Sequence, residues 1–274
     1  SENSIKIAKK VGYNWENFGI TNTQWASYTS IDIDSNDNAF VAYLDNVEKD
    51  LHVVTHSPTT TNSSSELSTW SNTTIGFDMS QVSAILDDNG KAHLSYYDSL
   101  NEDLMYATNK NGTWQNYTID SSGDVGQFSS IAIDSNGTVH FSYLGSGNED
   151  LKYAIFDIYQ QGASFTIASS PDSPKYLSSI QIDSNDRPHI VYYNSDEFHK
   201  EIRYVEIEHD GVSWSNSLIN ETIVSESPGA RINFELDSND KPHILFVGGM
   251  DSQAIYGQNN SGTWLFDYVS NMDI

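Results

Sequence analysis

Acidic and aromatic side chains recur in corresponding segments of this sequence, and their chemistry suits the recognition of sugars. Carboxylates accept paired hydrogen bonds from hydroxyl groups, while an aromatic ring offers an apolar face to the C–H groups of a sugar. The acidic candidates lie between two apolar segments of a repeat and are Asp98, Glu102, Asp103, Glu149, Asp150, Asp196 and Glu197, with further acids at Asp45, Glu48, Asp50 and Asp251. The other candidates precede the first apolar segment of a repeat and are Trp25, Tyr28, Phe128, Tyr176 and Arg231. We predict that these residues form a ligand-binding rim; the alternative is a set of solvated loops and apolar plugs.

Paired carboxylates on such a rim could also cleave a glycosidic bond. The two standard geometries place the carboxyl groups about 5 Å or about 6.5–9.5 Å apart. An active site of this kind needs two carboxylates in different environments. No acidic residue of the rim differs clearly from its counterparts in the other repeats, so the catalytic residues stay unassigned and the enzyme question stays open.

Metal binding has three candidate locations in the sequence. His199 is the one histidine among the acidic segments and is a candidate general base or metal ligand. The Asp32-x-Asp34-x-Asn36 and Asp87-Asp88-Asn89-Gly90 segments resemble calcium loops, although a tight turn between two strands explains the same residues. Histidines recur once per repeat at His93, His140, His189 and His243, and this regular placement indicates a structural contact. We therefore expect no cofactor, with calcium as the possible exception.

A repeat of 47 to 54 residues organises these side chains. Its copies align on Asp34, Asp87, Asp134, Asp183 and Asp237. Each copy has an alternating first strand, an Asp-Ser-Asn-Gly-type turn, a second strand with His followed by an aromatic residue, a third strand that opens on Leu or Ile, and a fourth strand; the first copy has Phe40 in place of the His. A Tyr lies two residues after that Leu or Ile in three copies. Val53 and Gly257 stand at this position in the first and fifth copies.

Several short strands in a period of this length are typical of a β-propeller. We predict an all-β, single-domain chain over residues 1–274, with five blades of four antiparallel strands. Residues 1–20 are predicted to form an extra hairpin that contributes to ring closure; the alternative is six blades, one of them partial.

Composition excludes several classes of function. Thirteen basic residues against 38 acidic residues give a formal charge of −25, which disfavours nucleic acid and anionic membranes as partners. The chain has no Cys, so disulfides and thiolate metal sites are impossible. No apolar run is long enough to span a membrane, and the first residues lack the apolar core of a signal peptide. We expect a soluble monomer that is secreted or displayed at the cell surface.

The recurring segments Ile-Asp-Ser-Asn-Gly, His-Phe-Ser-Tyr, Asp-Leu-Lys-Tyr-Ala and Gly-Thr-Trp resemble the short-repeat β-propellers of secreted bacterial and archaeal proteins. These are distantly related to the sialidase-like (Asp-box, or BNR) superfamily, and the resemblance covers roughly residues 21–269. The Asp-box itself, Ser-x-Asp-x-Gly-x-x-Trp, is not met. Sialidases also gather three arginines over one anion, and the three arginines of this chain, Arg187, Arg203 and Arg231, occupy different parts of their repeats. The resemblance therefore implies the fold and argues against sialidase activity.

These observations predict a recognition module, lectin-like in character, that binds a glycan or an extracellular protein at the acidic and aromatic rim. The alternative from another class is a glycan-cleaving enzyme, a glycoside hydrolase or lyase that uses two rim carboxylates. A further alternative is a structural scaffold domain without a small ligand.

Overall fold

The structure is a computed structural model that describes residues 5–11, 14–19, 25–56, 70–145, 150–157, 161–168, 174–195, 200–207, 214–220, 232–248, 253–260 and 262–269. Within these residues all 22 regular elements are β-strands, so the fold is all-β as the sequence predicts. No helix in the described ranges has the length and apolarity that a membrane span requires.

The strands form five four-stranded antiparallel sheets, and in each sheet the strands follow chain order. The first sheet contains β3 (Ala26–Ile33), β4 (Ala39–Asp45), β5 (Asp50–His56) and β6 (Trp70–Gly76). The second contains β7 (Met79–Leu86), β8 (Ala92–Asp98), β9 (Asp103–Thr108) and β10 (Gln115–Asp120). The third contains β11 (Val125–Ile133), β12 (Val139–Gly145), β13 (Asp150–Asp157) and β14 (Gln161–Ala168).

The remaining strands complete the same pattern. The fourth sheet contains β15 (Pro174–Ile182), β16 (Pro188–Ser195), β17 (Lys200–Ile207) and β18 (Trp214–Asn220). The fifth contains β19 (Ile232–Leu236), β20 (Pro242–Gly248), β21 (Gln253–Asn260) and β22 (Thr263–Tyr268). The strands β1 (Lys6–Val11) and β2 (Asn14–Gly19) form a separate two-stranded sheet. The predicted N-terminal hairpin is therefore present, and its part in ring closure stays a prediction.

The turn between the first and second strands of each sheet is built by its leading aspartate. In the third sheet, Oδ1 of Asp134 accepts hydrogen bonds from the backbone N–H of Asn136 (2.9 Å) and Thr138 (2.8 Å). The fourth turn residue, Gly137, has a φ of 80°, a left-handed conformation that glycine adopts without a steric cost. Asp34, Asp87, Asp183 and Asp237 accept the same two backbone hydrogen bonds. The local sequence thus fixes each hairpin.

A histidine joins that turn to the third strand in four of the five sheets; it is buried at His93, His140 and His189 and partly exposed at His243. Nδ1 of His140 lies 2.7 Å from the hydroxyl oxygen of Tyr153, and its Nε2 lies 3.4 Å from Oδ2 of Asp134. The same Asp, His and Tyr contacts recur at Asp87–His93–Tyr106, Asp183–His189–Tyr204 and Asp237–His243–Tyr256. The Nε2–Oδ2 distances of 3.3–3.7 Å are mostly longer than a standard hydrogen bond, and Nε2 has no hydrogen-bond partner at shorter range. The histidines are structural, as their regular spacing indicates.

The chain divides into two compact units, Ser1–Thr118 and Ile119–Ile274. In the first unit β3 packs against β7, and in the second unit β11 packs against β15 and β15 against β19. The second strands β4, β8 and β12 are buried along nearly their whole length, because apolar neighbours cover both faces. Each unit therefore has its own core, centred on Leu44, Leu94 and Tyr96 in the first and on Leu151 and Tyr192 in the second.

Strand register corrects one detail of the sequence alignment. Tyr143 of β12 pairs with Lys152 of β13, and Phe246 of β20 pairs with Ile255 of β21. Ile255 therefore corresponds to Lys152, whereas the sequence alone aligns Ile255 with Leu151, one residue earlier in the strand. The tyrosine of the fifth repeat is consequently present at Tyr256, and Gly257 does not interrupt the pattern.

Candidate functional site

One edge of the first unit gathers the segments that carry most of the candidate residues in that unit. The backbone N–H of Asn46 donates to the carbonyl of Trp25 (2.7 Å), so the β4–β5 loop lies beside the entry to β3. Met79 N–H donates to the carbonyl of Lys49 (3.1 Å), and Ser99 N–H donates to the carbonyl of Asp78 (3.0 Å). These bonds join residues 25–28, 45–52, 78–81 and 98–103 into one edge, which we call the rim of the first unit.

Two aspartates shape the loops of this rim. Oδ1 of Asp98 accepts hydrogen bonds from the backbone N–H of Leu100 (2.9 Å) and Asn101 (3.1 Å), and Oδ2 accepts one from Nδ2 of Asn101 (2.8 Å). Burial raises the pKa of Asp98, but these hydrogen bonds outweigh burial and bring the pKa below its usual value. Oδ1 of Asp45 receives Val47 N–H (2.8 Å) in the corresponding loop. The Asp98 carboxylate, a predicted ligand contact, is therefore engaged in holding its own turn.

Two large aromatic side chains of the rim are open to solvent. Trp25 is 63% exposed and Tyr28 is 43% exposed. Tyr28 has a φ of 49° at a point where the β3–β4 register shifts between Ser27 and Ser30. A positive φ is unusual for a bulky residue, and bulges of this kind redirect side chains at the ends of strands. The β3 bulge thus presents Tyr28 on the same edge as Trp25.

The aromatic pair belongs to the first sheet and is not a general feature of the repeat. Counted back from the turn aspartates, Asp78 and Gln81 occupy the corresponding positions of the second sheet, and Gln81 shares the left-handed backbone with a φ of 56°. In the third sheet the positions hold buried Val125 and partly buried Phe128. The left-handed backbone conformation recurs in these three sheets, whereas the exposed pair of aromatic side chains occurs only in the first of them.

Glu48, Asp50 and His52 converge at the same rim. One potential ligand atom from each side chain lies within 4.8 Å of the other two. Asp50 and His52 are alternate residues of β5 and so point to one face of the first sheet, while Glu48 comes from the preceding loop. Sequence reasoning placed Glu48 and Asp50 among the rim acids and missed His52. The signal that was available is the Asp-x-His spacing at the start of a predicted strand.

The other predicted residues fall in several environments. Glu102 is exposed at a left-handed position of the β8–β9 loop (φ 63°), and Asp103 pairs across the strands with Asp98. In the second unit Phe128 packs against the core, whereas Asp150 is the first residue of β13 and Tyr176 lies within β15. Six candidates lie outside the described residues, namely Glu149, Asp196, Glu197, His199, Arg231 and Asp251.

The second unit contains a buried ion pair that sequence reasoning did not identify. Asp120 is 5% exposed; its Oδ2 receives the hydroxyl of Tyr143 (2.7 Å) and Nζ of Lys152 (2.5 Å). Burial raises the pKa of Asp120, but hydrogen bonds from Lys152, Tyr143 and Ser122 outweigh burial and lower the pKa. The partners are separated by more than 20 residues in sequence, so no local pattern announces the pair.

The turn aspartates use their carboxylates to hold the turns. Oδ1 of each binds two backbone N–H groups, as described above, while Oδ2 of Asp34 receives Nδ2 of Asn38 (2.7 Å) and Oδ2 of Asp183 receives Nε of Arg187 (2.8 Å). Burial raises the pKa of Asp183, but hydrogen bonds from Arg187 and Asn185, together with the nearby imidazole of His189, hold it at about 2. Arg187, in the β15–β16 turn, is also paired with Glu206 of β17. Arg203 lies on β17 opposite Tyr192 of β16. These contacts support a turn-stabilising role for the aspartates, and the two arginines that the structure describes, Arg187 and Arg203, hold different positions in the fourth sheet.

Comparison with known proteins identifies the architecture. The sequence matches no protein-family model, and no curated protein matches it. Among solved structures, an exo-β-1,3-galactanase from Phanerochaete chrysosporium is 14% identical, with a TM-score of 0.53 over 96% of this chain and 67% of that chain. A Hadza microbial sialidase is 11% identical, with a TM-score of 0.56 over 89% of this chain and 57% of that chain. The catalytic domain of a GH62 α-L-arabinofuranosidase from Coprinopsis cinerea is 10% identical, with a TM-score of 0.50 over 89% and 90% of the two chains.

These likenesses concern the fold alone, because the identities are low. The chain spans 57% of the length of the sialidase and 67% of the length of the galactanase. The neighbours include β-propeller glycoside hydrolases, and the all-β arrangement of four-stranded sheets agrees with that architecture. The chain therefore has an all-β, β-propeller type of fold.

Proposed function

We propose that this chain is a glycan-recognition module and that the rim of the first unit is its binding surface. The observation that carries the proposal is the exposure of Trp25 and Tyr28 beside a loop rich in carboxylates. An exposed indole or phenol ring offers a stacking surface, and neighbouring carboxylate oxygens accept hydroxyl hydrogen bonds. The strongly acidic chain favours a neutral or basic ligand over an anionic one.

The fold supports a glycan as the ligand class. Solved structures with a TM-score of at least 0.50 include a galactanase, an arabinofuranosidase and a sialidase, all named for action on sugars. In this proposal the five four-stranded sheets are the five blades of the propeller, and the chain acts as a monomer outside the cell or at its surface. An extracellular protein that carries sugars, or that presents a basic surface, would satisfy the same rim.

A glycan array of neutral oligosaccharides tests the proposal, followed by titration calorimetry on the best ligand. We expect Trp25→Ala to weaken binding about five- to thirtyfold, because one stacked ring contributes on the order of 1–2 kcal/mol. Ile33→Ala is the matched control, since Ile33 is 57% exposed and is the last residue of β3, whereas Trp25 immediately precedes the first. Equal losses in the two variants, or no saturable sugar binding by the wild type, would contradict the proposal.

A glycan-cleaving enzyme is the second candidate, and one contact favours it. Carboxylate oxygens of Glu48 and Asp50 lie within 4.8 Å of each other, close to the separation of about 5 Å found in retaining glycosidases. Asp50 is buried while Glu48 is exposed, so the two groups have the different environments that an acid and a nucleophile need. Release of reducing ends that Glu48→Gln abolishes would establish this reading over pure binding. Absence of both binding and release would favour a scaffold.

A further inference from the structure

The cluster of Glu48, Asp50 and His52 has the composition of a metal site. Its three potential ligand atoms lie within 4.8 Å of one another, so a single ion placed among them would contact all three side chains. Asp50 and Asp45 are paired across β4 and β5 where the loop begins and ends. Within that loop Lys49 has a left-handed φ of 57°, and the chain turns there between Glu48 and Asp50.

The environment of the Asp50 carboxylate points to a bound cation. The residue is only 6% exposed, and its side chain makes no hydrogen bond or ion pair with the residues that the structure describes. A buried carboxylate without a partner is costly, and proteins resolve that cost by pairing the charge or by coordinating a metal. The ligand-type atoms nearest to Asp50 in this cluster are those of Glu48, a second anion, and of His52, a neutral metal ligand when it is unprotonated.

His52 is held in place by contacts on two sides. Its Nδ1 lies 3.2 Å from Oγ1 of Thr74 on the neighbouring strand. Its ring also stacks on Tyr43, with the ring centroids 5.2 Å apart and the planes 21° apart. A hydrogen bond to one ring nitrogen is the usual device that orients a metal-binding histidine through the other nitrogen.

The corresponding loop of the second sheet shows that this cluster is not a by-product of the repeat. Asp98 and Asp103 are paired as Asp45 and Asp50 are, and the two loops have equal length. Asn101 stands at the position of Glu48, and Met105 stands at the position of His52. The second sheet thus keeps one of the three ligand types and lacks the other two.

The donor set selects the kind of ion. Calcium and magnesium prefer ligands that are all oxygen, whereas one imidazole with two carboxylates suits zinc and related divalent ions. Three protein ligands also leave a coordination position for water, and Glu48 lies on the exposed side of the cluster. We propose that Glu48, Asp50 and His52 bind one divalent cation of the zinc type at the rim of the first unit. The inference does not depend on sugar binding.

The test uses the full chain, without a histidine tag and stripped with a chelator. Calorimetric titration with zinc chloride is expected to show one strong site, and cobalt chloride is expected to give a saturable visible absorption band. His52→Gln and Asp50→Asn should each weaken zinc binding at least tenfold. Asp103→Asn, the matched change in the second sheet, should leave zinc binding unchanged. Far-UV circular dichroism verifies that each variant is folded, and His52→Gln decides the matter if Asp50→Asn fails to fold.

Several outcomes would overturn the proposal. One is a wild type without saturable zinc or cobalt binding. Another is a folded His52→Gln variant that binds zinc as tightly as the wild type. Equal losses in Asp103→Asn and Asp50→Asn would indicate a general effect of the acidic surface. Saturable binding of calcium chloride with no binding of zinc would contradict the zinc-type assignment.

Discussion

Nζ of Lys152 lies 2.5 Å from Oδ2 of Asp120, and both groups are largely withdrawn from solvent in the second unit. Tyr143 supports the pair from both sides: its hydroxyl donates to the same oxygen, and its ring centroid lies 5.7 Å from the ammonium nitrogen. Removal of one partner from a buried pair leaves the other charge uncompensated, which costs far more than the pair itself contributes.

We expect Lys152→Met to destabilise the chain by about 3 kcal/mol, because the carboxylate of Asp120 then remains buried with only neutral donors. Methionine is a fair replacement, since Met105 occupies the corresponding position of the second sheet. The double variant Asp120→Asn/Lys152→Met should recover at least half of the loss. Urea unfolding at pH 7 measures both changes, and a single variant as stable as the wild type would show that the pair is not desolvated in solution.

Acid should weaken the second sheet through His93. Burial lowers the pKa of His93 to about 4, against 6.5 for a free histidine, while the nearby Asp87 acts in the opposite direction. Between pH 6.5 and 4 the unfolded chain binds a proton that the folded chain excludes, so stability falls as the pH falls through this window. The loss approaches about 1.4 kcal/mol per pH unit and about 3 kcal/mol in total.

The first sheet supplies the variant that tests this effect. Phe40 and Val53 stand where the second sheet has His93 and Tyr106, so His93→Phe/Tyr106→Val replaces the pair with residues that the repeat already accepts. We expect the stability difference between pH 7 and pH 4.5 to shrink by about 2 kcal/mol in this variant. Urea midpoints at the two pH values give the difference, and identical acid sensitivity of the variant and the wild type would refute the role of His93.

Gly257 should not tolerate a methyl group. A Cβ atom at this position would lie 2.6 Å from Cε1 of Phe266 and 3.0 Å from Cγ1 of Ile244, so the packed side chains would have to shift. Overpacking of this kind costs about 1–3 kcal/mol, which predicts a lower melting temperature for Gly257→Ala. Gly76→Ala is the comparison, because its Cβ would meet the flexible tip of Met79, which can rotate away. A drop in melting temperature that is equal in the two variants would contradict the packing argument.

The sequence predicts the parts of this fold that are encoded locally. The turn at Asp134 needs only residues 134–138, and its oxygen-to-backbone bonds follow from the residue types. The contact between His140 and the turn also follows, because the histidine recurs at one fixed distance from the aspartate in four repeats. Hairpin turns and strand order were therefore predictable from single repeats.

Features that depend on register or on distant partners were not predictable in the same way. Sequence alone aligns Ile255 with Leu151, one residue out, because a run of alternating apolar residues fits two registers until the pairing with Phe246 is known. The contact of Asp120 with Lys152 joins residues 32 apart in sequence. The solvent exposure of equivalent aromatic residues is likewise not encoded in the repeat pattern. Phe128 and Tyr28 share one position of the repeat, yet Phe128 packs against a core and Tyr28 is open to solvent.

One position of the repeat holds a different chemical group in every sheet. It lies on the third strand, opposite a buried aromatic residue of the second strand, and is occupied by His52, Met105, Lys152, Arg203 and Ile255. An imidazole, a thioether, two kinds of cation and an aliphatic chain are thus accepted opposite the same aromatic position of the second strand. A side chain of different chemistry at this position is therefore compatible with the same pairing to the second strand, which makes the position a suitable place for protein engineers to introduce a ligand.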